Sequence, residues 1–247
     1  MLSRLRHWFA YCKAGLPDLP SSCSLCGRAG AGIVCNGCRA QFFQSGQPRC
    51  LRCAIPLPKA GSFQATSCGG CLKQTPAFDA TIVATDYAPP ADRLVLALKF
   101  GSQLALAPCF ARMLRDALLH AQRSELPTLL VPVPLGKLRL AERGFNQALE
   151  IARPLSKALG IRLDPYLAVR TRDTPAQSLL HPDQRHKNMR NAFIVSSHAI
   201  GAVRGRHIGV VDDVMTTGET LNEMATMLKR FGAARVTNFV FARTLLK

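Results

Sequence analysis

Eight of the ten cysteines in this chain stand in four Cys-x-x-Cys pairs: Cys23/Cys26, Cys35/Cys38, Cys50/Cys53 and Cys68/Cys71. Such a pair sets two thiolates on one side of a tight turn, and two turns complete a tetrahedron around Zn²⁺. Glycine follows the second cysteine in "SLCGRAG" and lies inside "CNGC" and "CGGC". These small residues let backbone amides face the sulfurs. A single pair would suit a redox enzyme equally well, but four pairs in so short a stretch read as two Cys₄ zinc sites. The short loop from Cys26 to Cys35 favours sequential grouping over an interleaved one. A Cys₄ set leaves no coordination position for water, so both metals are expected to be structural.

The other chemistry-bearing stretch is "HIGVVDDVMTTGETL" near the C-terminus. An apolar run reaches Asp212 and Asp213, turns through Thr216, Thr217, Gly218, Glu219 and Thr220, and enters a helical pattern. The C-terminal end of a parallel strand faces a ligand crevice, and a helix start supplies amides and positive potential for a phosphate. Carboxylates a few residues upstream suit the vicinal hydroxyls of a ribose. The stretch reads as a ribose 5-phosphate site, with the phosphate on the loop and the sugar on the aspartates.

The elements that must position these residues differ along the chain. Up to about residue 78 the sequence is rich in Cys, Gly, Pro and Ser with weak apolar periodicity, and it could hardly fold without metal. Its compositional boundary lies near Pro76, which gives a double zinc ribbon over 20–75 and an α/β domain over 78–247. Expected strands are "ATIVATDY", "TLLVPVP", "LAVRT", "HIGVVDD" and "RVTNFVFART". Expected helices cover 91–100, 106–122, 146–160 and the stretch after Gly218, where Leu221, Met224, Ala225 and Leu228 keep helical spacing. Asn146 and Gln147 read as capping residues, Gly160 as a C-cap, and Pro154 as a kink or a later start. Cys109 reads as a core residue. Strands alternating with helices imply a mostly parallel sheet covered on both faces.

The formal charge is +17, from 32 basic and 15 acidic residues. This excess points to an anionic partner. Asp18 is the sole acid before Asp79, so the cysteine-rich region is strongly basic and reads as a nucleic-acid surface, with Arg28, Arg39 and Arg52 as its contacts. A second basic stretch runs over 170–190, where Arg172, Arg185 and Arg190 are candidate phosphate contacts and His181 and His186 read as exposed polar residues. The N-terminus does not read as a signal peptide, and no apolar run approaches the roughly 20 residues of a spanning helix. A cytoplasmic protein without membrane insertion is therefore expected, and there thiols favour metal over disulfides.

"VVDDVMTTGET" resembles the phosphoribosyl-pyrophosphate (PRPP) motif of type I phosphoribosyltransferases. Together with "LLVPVPLGKLRLAERGFNQA", "RTRDTPAQSLLHPDQRHKNMRNAF" and the cysteine knuckles, it makes the chain similar to the ComF family from about Cys23 onward. The resemblance implies a zinc ribbon joined to a phosphoribosyltransferase-like domain. It implies PRPP on Asp212, Asp213 and the 216–220 loop, pyrophosphate beside Lys137, Arg139 and Arg143, and the 170–190 stretch in place of the loop that closes over PRPP. Glu219 departs from the small or uncharged residue of many relatives. The implied role is in uptake or processing of single-stranded DNA during natural transformation, alongside other competence proteins. The alternative is an enzyme that moves a phosphoribosyl group from PRPP, with Mg²⁺, to an unnamed acceptor.

Overall fold

The computed structural model describes residues 21–30, 32–43, 47–58, 66–121, 125–171 and 191–245. The chain separates into two compact units, Met1–Phe43 and Gln44–Lys247. The composition changes near Pro76, but packing parts the chain after Phe43. The second pair of knuckles therefore folds with the α/β domain.

In the first unit, β1 (Ser21–Ser22) pairs antiparallel with β2 (Ala29–Gly30) and α1 spans Asn36–Phe42. The second unit opens with α2 (Gly69–Lys73) and then alternates strands and helices: β3 (Ala80–Asp86), α3 (Ala91–Phe100), α4 (Leu106–His120) and β4 (Leu129–Pro132). Next come α5 (Lys137–Arg143), α6 (Gln147–Leu159), β5 (Arg162–Leu163), β6 (Ala168–Arg170) and β7 (Phe193–Val195). A 3₁₀ turn, α7 (Ile200–Val203), β8 (His207–Met215), α8 (Glu219–Arg230) and β9 (Arg235–Arg243) complete the fold.

Five strands form one sheet in the order β3-β9-β8-β4-β5, with every pairing parallel. A parallel sheet needs cover on both faces, and the strands are accordingly apolar on both: Ile208, Val210, Val211, Phe239, Val240 and Phe241 are all fully buried. Ile208, Val210 and Val240 share a cluster with Leu221, Met224 and Leu228 of α8. That cluster also contains Cys50, Cys53, Ala54, Leu57 and Cys71. Elsewhere in the core Phe110 of α4 stacks on Phe241, with centroids 3.5 Å apart and planes 4° from parallel.

Several sequence expectations are corrected in detail. The loop expected after Pro134 contains the seven-residue helix α5, closed by Gly144 at φ 79°. Asp212 and Asp213 do not end their strand, which continues to Met215. Helix α6 runs through Pro154 and begins at Gln147, because Asn146 caps it: its Oδ1 accepts from the Ala148 and Leu149 amides.

Gly209 allows the middle strand its close fit. A Cβ there would lie 2.5 Å from Leu130 Cδ2, 2.9 Å from Pro127 Cγ and 3.1 Å from a Phe239 ring carbon. Leu130 and Phe239 are themselves fully buried and have nowhere to move. G209A is therefore expected to destabilise the protein by about 1–3 kcal/mol, the usual cost of overpacking. A urea titration should show a lower midpoint with an unchanged slope.

Candidate metal centres and ribose-phosphate site

The structure groups the eight thiols sequentially. Cys23, Cys26, Cys35 and Cys38 form one set and Cys50, Cys53, Cys68 and Cys71 the other, with all sulfurs of a set within 4.8 Å of one another. Cys26 Sγ to Cys35 Sγ is 3.8 Å and Cys53 Sγ to Cys68 Sγ is 3.6 Å. A zinc–sulfur bond of about 2.3 Å in a tetrahedron requires about 3.8 Å between sulfurs, so both sets fit the ion.

The two knuckle pairs repeat one geometry. The Cys35 amide donates to Cys23 Sγ and the Cys38 amide to Cys35 Sγ, each at 3.4 Å. In the second set the Cys68 amide donates to Cys50 Sγ at 3.3 Å and the Cys71 amide to Cys68 Sγ at 3.5 Å. The bonds from the Cys38 and Cys71 amides are the N-caps of α1 and α2, with the Cys35 and Cys68 thiols in the acceptor role. Burial works against the Cys23 thiolate, but the amides of Cys35, Cys26 and Leu25 outweigh it and bring the thiol down to about 6. Burial and the neighbouring sulfurs push Cys38 up to about 12. Crowded thiolates repel, and a divalent cation at their centre relieves that repulsion.

The sites differ in setting. Cys26 is exposed, whereas Cys50, Cys53 and Cys71 are buried and belong to the core under α8. Elemental analysis of reduced protein should give two zinc ions per chain, and a chelator should remove them in two phases. Substituting Cys26 by Ser should abolish the faster phase alone.

Around the acid pair, β8 runs between β4 and β9, and Asp212 and Asp213 follow one another near its C-terminal end with their carboxyl groups in contact. Both carboxylates are buried, with Asp213 only 3% exposed. The Asp213 amide donates to Asp212 Oδ1 at 2.9 Å. Lys99 Nζ, from the last turn of α3, lies 2.7 Å from Asp213 Oδ2. That is an ion-pair distance, although the oxygen lacks a well-directed hydrogen bond.

This asymmetry splits the pair. Burial and the Asp213 charge raise the Asp212 pKa well above the ordinary range. Burial would also raise Asp213, but the charge and contact of Lys99, the Asp212 carboxyl and the more distant Arg143 bring it down.

Of the cations expected at the pyrophosphate position, all three lie on α5. Lys137 is exposed, and Arg139 and Arg143 are half-buried. Arg143 Nη1 donates to Gln147 Oε1 at 2.5 Å, and its guanidinium stands 5.3 Å over the Phe100 ring. Gln147 thus orients a cation as well as opening α6. Asn146 Nδ2 donates to the Val133 carbonyl and ties the α6 start to the end of β4. Lys99 is not among the residues that the sequence motifs single out. The available signal was its place four residues after Val95, on the edge of a buried helical stripe.

After Met215 the chain turns through Thr216, Thr217 and Gly218. Gly218 has φ 91°, and a Cβ there would meet Met215 Cε at 2.6 Å. Glu219 is the first residue of α8 and half-buried, and its amide donates to Thr217 Oγ1 at 3.5 Å. Thr216, Thr217 and Thr220 are half-buried beside it.

Among the ribbon cations, Arg28 is exposed and Arg39 is half-buried on α1. Arg52 Nη1 donates to the Phe78 carbonyl at 3.4 Å. Arg49 pairs with Asp86 at 2.8 Å and donates to the Ala54 carbonyl. Arg172, Arg185, Arg190, His181 and His186 lie outside the described residues. Among the described residues no helix is long and apolar enough to cross a membrane.

A parallel sheet with paired acids before a turn into a helix, behind two Cys₄ sets, defines a zinc-ribbon protein with a phosphoribosyltransferase-type domain. Family models agree: the phosphoribosyl transferase domain matches residues 146–245 and the double zinc ribbon domain matches 19–75. The chain is 35% identical over 233 residues to the DNA utilization protein YhgH of Escherichia coli (strain K12), covering 92% of this chain and 99% of that one. It is 33% identical to competence protein F of Haemophilus influenzae, covering 85% and 90%. It is 26% identical to competence protein ComFC of Streptococcus pneumoniae, covering 85% and 87%. The chain belongs to this family, ComF.

The split acid pair has a consequence for stability. An ionised Asp212 is disfavoured by burial and by Asp213, so D212N is expected to raise the unfolding temperature at pH 7. That gain should vanish below about pH 3.9, where the unfolded carboxyl is itself protonated. Asp213 has the opposite sign: its contribution is present above that pH and is lost as pH falls through its lowered folded value. D213N, which strands Lys99, should cost about 1.5–3 kcal/mol at pH 7. Thermal scans of both variants at neutral and acid pH read the difference.

Proposed function

We propose that this protein is a cytoplasmic ComF-type DNA-handling protein that acts on single-stranded DNA entering the cell and carries a PRPP-type ribose-phosphate site. The observation that supports the site most directly is the buried Asp212–Asp213 pair, one turn ahead of the Gly218 loop on the middle strand of the sheet. On this reading the ribose hydroxyls meet the aspartates and the 5-phosphate meets the 216–220 loop. Lys137, Arg139 and Arg143 supply positive charge on the pyrophosphate side, Lys99 stands on Asp213, and Mg²⁺ would accompany PRPP as its counter-ion. The names of the Escherichia coli and Haemophilus influenzae relatives support the DNA role, as does the net charge of +17. Other competence proteins are the expected partners.

A second reading is transfer of the phosphoribosyl group to an acceptor. The convergence of Lys99 and Arg143 on Asp213 favours it, because cations placed there would stabilise a departing pyrophosphate.

One titration series separates the outcomes. PRPP with Mg²⁺ should bind the wild type in calorimetry, and D212A/D213A should weaken it tenfold or more by removing the acceptors for the ribose hydroxyls, of which a hydrogen bond to the ionised Asp213 is worth about 1.5–3 kcal/mol. Single-stranded DNA should bind with little sequence preference, with a log–log salt slope of about −0.7 per phosphate contacted. Charge reversal at Arg28 and Arg39 should flatten that slope. Arg52 is a poorer probe, because its contact with Phe78 makes it part of the fold. DNA binding insensitive to salt overturns the DNA reading, and absence of PRPP binding overturns the site. Pyrophosphate release on adding an acceptor would favour the transferase.

A further inference from the structure

Strand β9 is buried along almost its whole length, and its last residue is a guanidinium. Arg243 is 2% exposed, among the most deeply buried large side chains of the protein. An arginine in such a place must spend its donors on carbonyls. Its Nε donates to the Cys53 carbonyl at 3.1 Å. Its Nη1 faces the carbonyls of Met215 at 3.1 Å, Thr216, and Thr244 at 2.7 Å. Cys53 belongs to the second Cys₄ set. Met215 and Thr216 are the last strand residue and the first loop residue ahead of Gly218. One rigid planar group therefore spans a metal knuckle and the loop.

Charge supports the same link. Zn²⁺ with four thiolates carries a net charge of −2, and a buried guanidinium beside it offsets part of this. A second tie runs parallel to the first: the Ala77 amide, just beyond the Cys71 knuckle, donates to Asn222 Oδ1 of α8 at 2.7 Å. Both ties converge on the junction where the loop becomes α8.

We propose that Arg243 is a positioning residue that couples the second Cys₄ centre to the 216–220 loop, so that metal retention and loop geometry depend on each other. If the loop holds a ribose phosphate, as proposed above, ligand binding and zinc affinity at Cys50, Cys53, Cys68 and Cys71 are linked. Linkage is reciprocal: a ligand that tightens the loop tightens the metal site by the same factor. The first Cys₄ set lies in the separate Met1–Phe43 unit and serves as an internal control.

The test uses the full-length zinc-loaded protein and R243K. Lysine keeps the buried positive charge, but its single ammonium cannot bond the Cys53 carbonyl and the Met215–Thr216 carbonyls through separately directed nitrogens. Hydrogen exchange without ligand is the first arm. In R243K the amides of 216–220 should exchange about tenfold faster, as expected for loss of one hydrogen bond to a charged group. Exchange in the core of β9 should stay unchanged, which a general loss of stability would not allow. Equilibrium competition with a zinc chelator, with and without PRPP and Mg²⁺, is the second arm. In the wild type PRPP should raise the affinity of one zinc by about fivefold or more and leave the other unchanged. In R243K that increase should disappear. Unchanged loop exchange in R243K overturns the coupling. So does PRPP binding with no change in zinc affinity, which would leave the ribose-phosphate reading standing. If PRPP does not bind, that reading falls, and the exchange arm alone decides the coupling.

Discussion

Two carboxylates side by side in a buried strand demand a cation, and the ion pair between Asp213 and Lys99 answers that demand at 2.7 Å. Much of the domain serves this arrangement. β8 must lie inside the sheet for its C-terminal end to open a crevice, and β4 and β9 flank it there. α3 must end beside it to deliver Lys99, and α5 must follow β4 to bring Arg143 within electrostatic reach. The outcome is one carboxylate held ionised and a neighbour that resists ionisation, on adjacent residues of one strand. Such divergence is common where charge is used rather than merely tolerated.

The metal centres give the cysteine-rich stretch what its composition withholds. Among the described residues of 21–75 few large apolar side chains are buried, and four-coordinate thiolate centres take the place of a core there. The second centre does more than close a loop. Its cysteines join the apolar cluster of β3, β8 and α8, and the Cys53 carbonyl accepts from an arginine at the far end of the chain. Contacts between residues 190 positions apart tie it to the sheet in a way that its local spacing does not announce.

How much of this was legible beforehand depended on the range of the interaction. The cysteine spacing is local, so the sequential Cys₄ sets could be read directly. The strand–acid–loop–helix order around Asp212 and Asp213 is local as well, as was the Asn146 cap. Helix α5 was less visible. "KLRLAER" offers one turn of weak pattern, and the preceding prolines suggested a loop. Lys99 and Arg243 act across long sequence separations. Each looks like an ordinary surface cation at the end of an apolar element, and only the sheet order shows what it meets. The compositional boundary near Pro76 differs from the packing seam after Phe43 for the same reason. Composition records what a segment is made of, and packing records what it touches.

That seam places the two metal centres under unequal evolutionary freedom. The first lies in a compact unit of its own, where a change of loop length or ligand is absorbed locally. The second shares side chains with the sheet and backbone carbonyls with the turn after β8, so drift there is judged by the α/β domain as a whole. A descendant could exchange the first module for another surface and keep its remaining chemistry. Altering the second would mean rebuilding the end of the central strand.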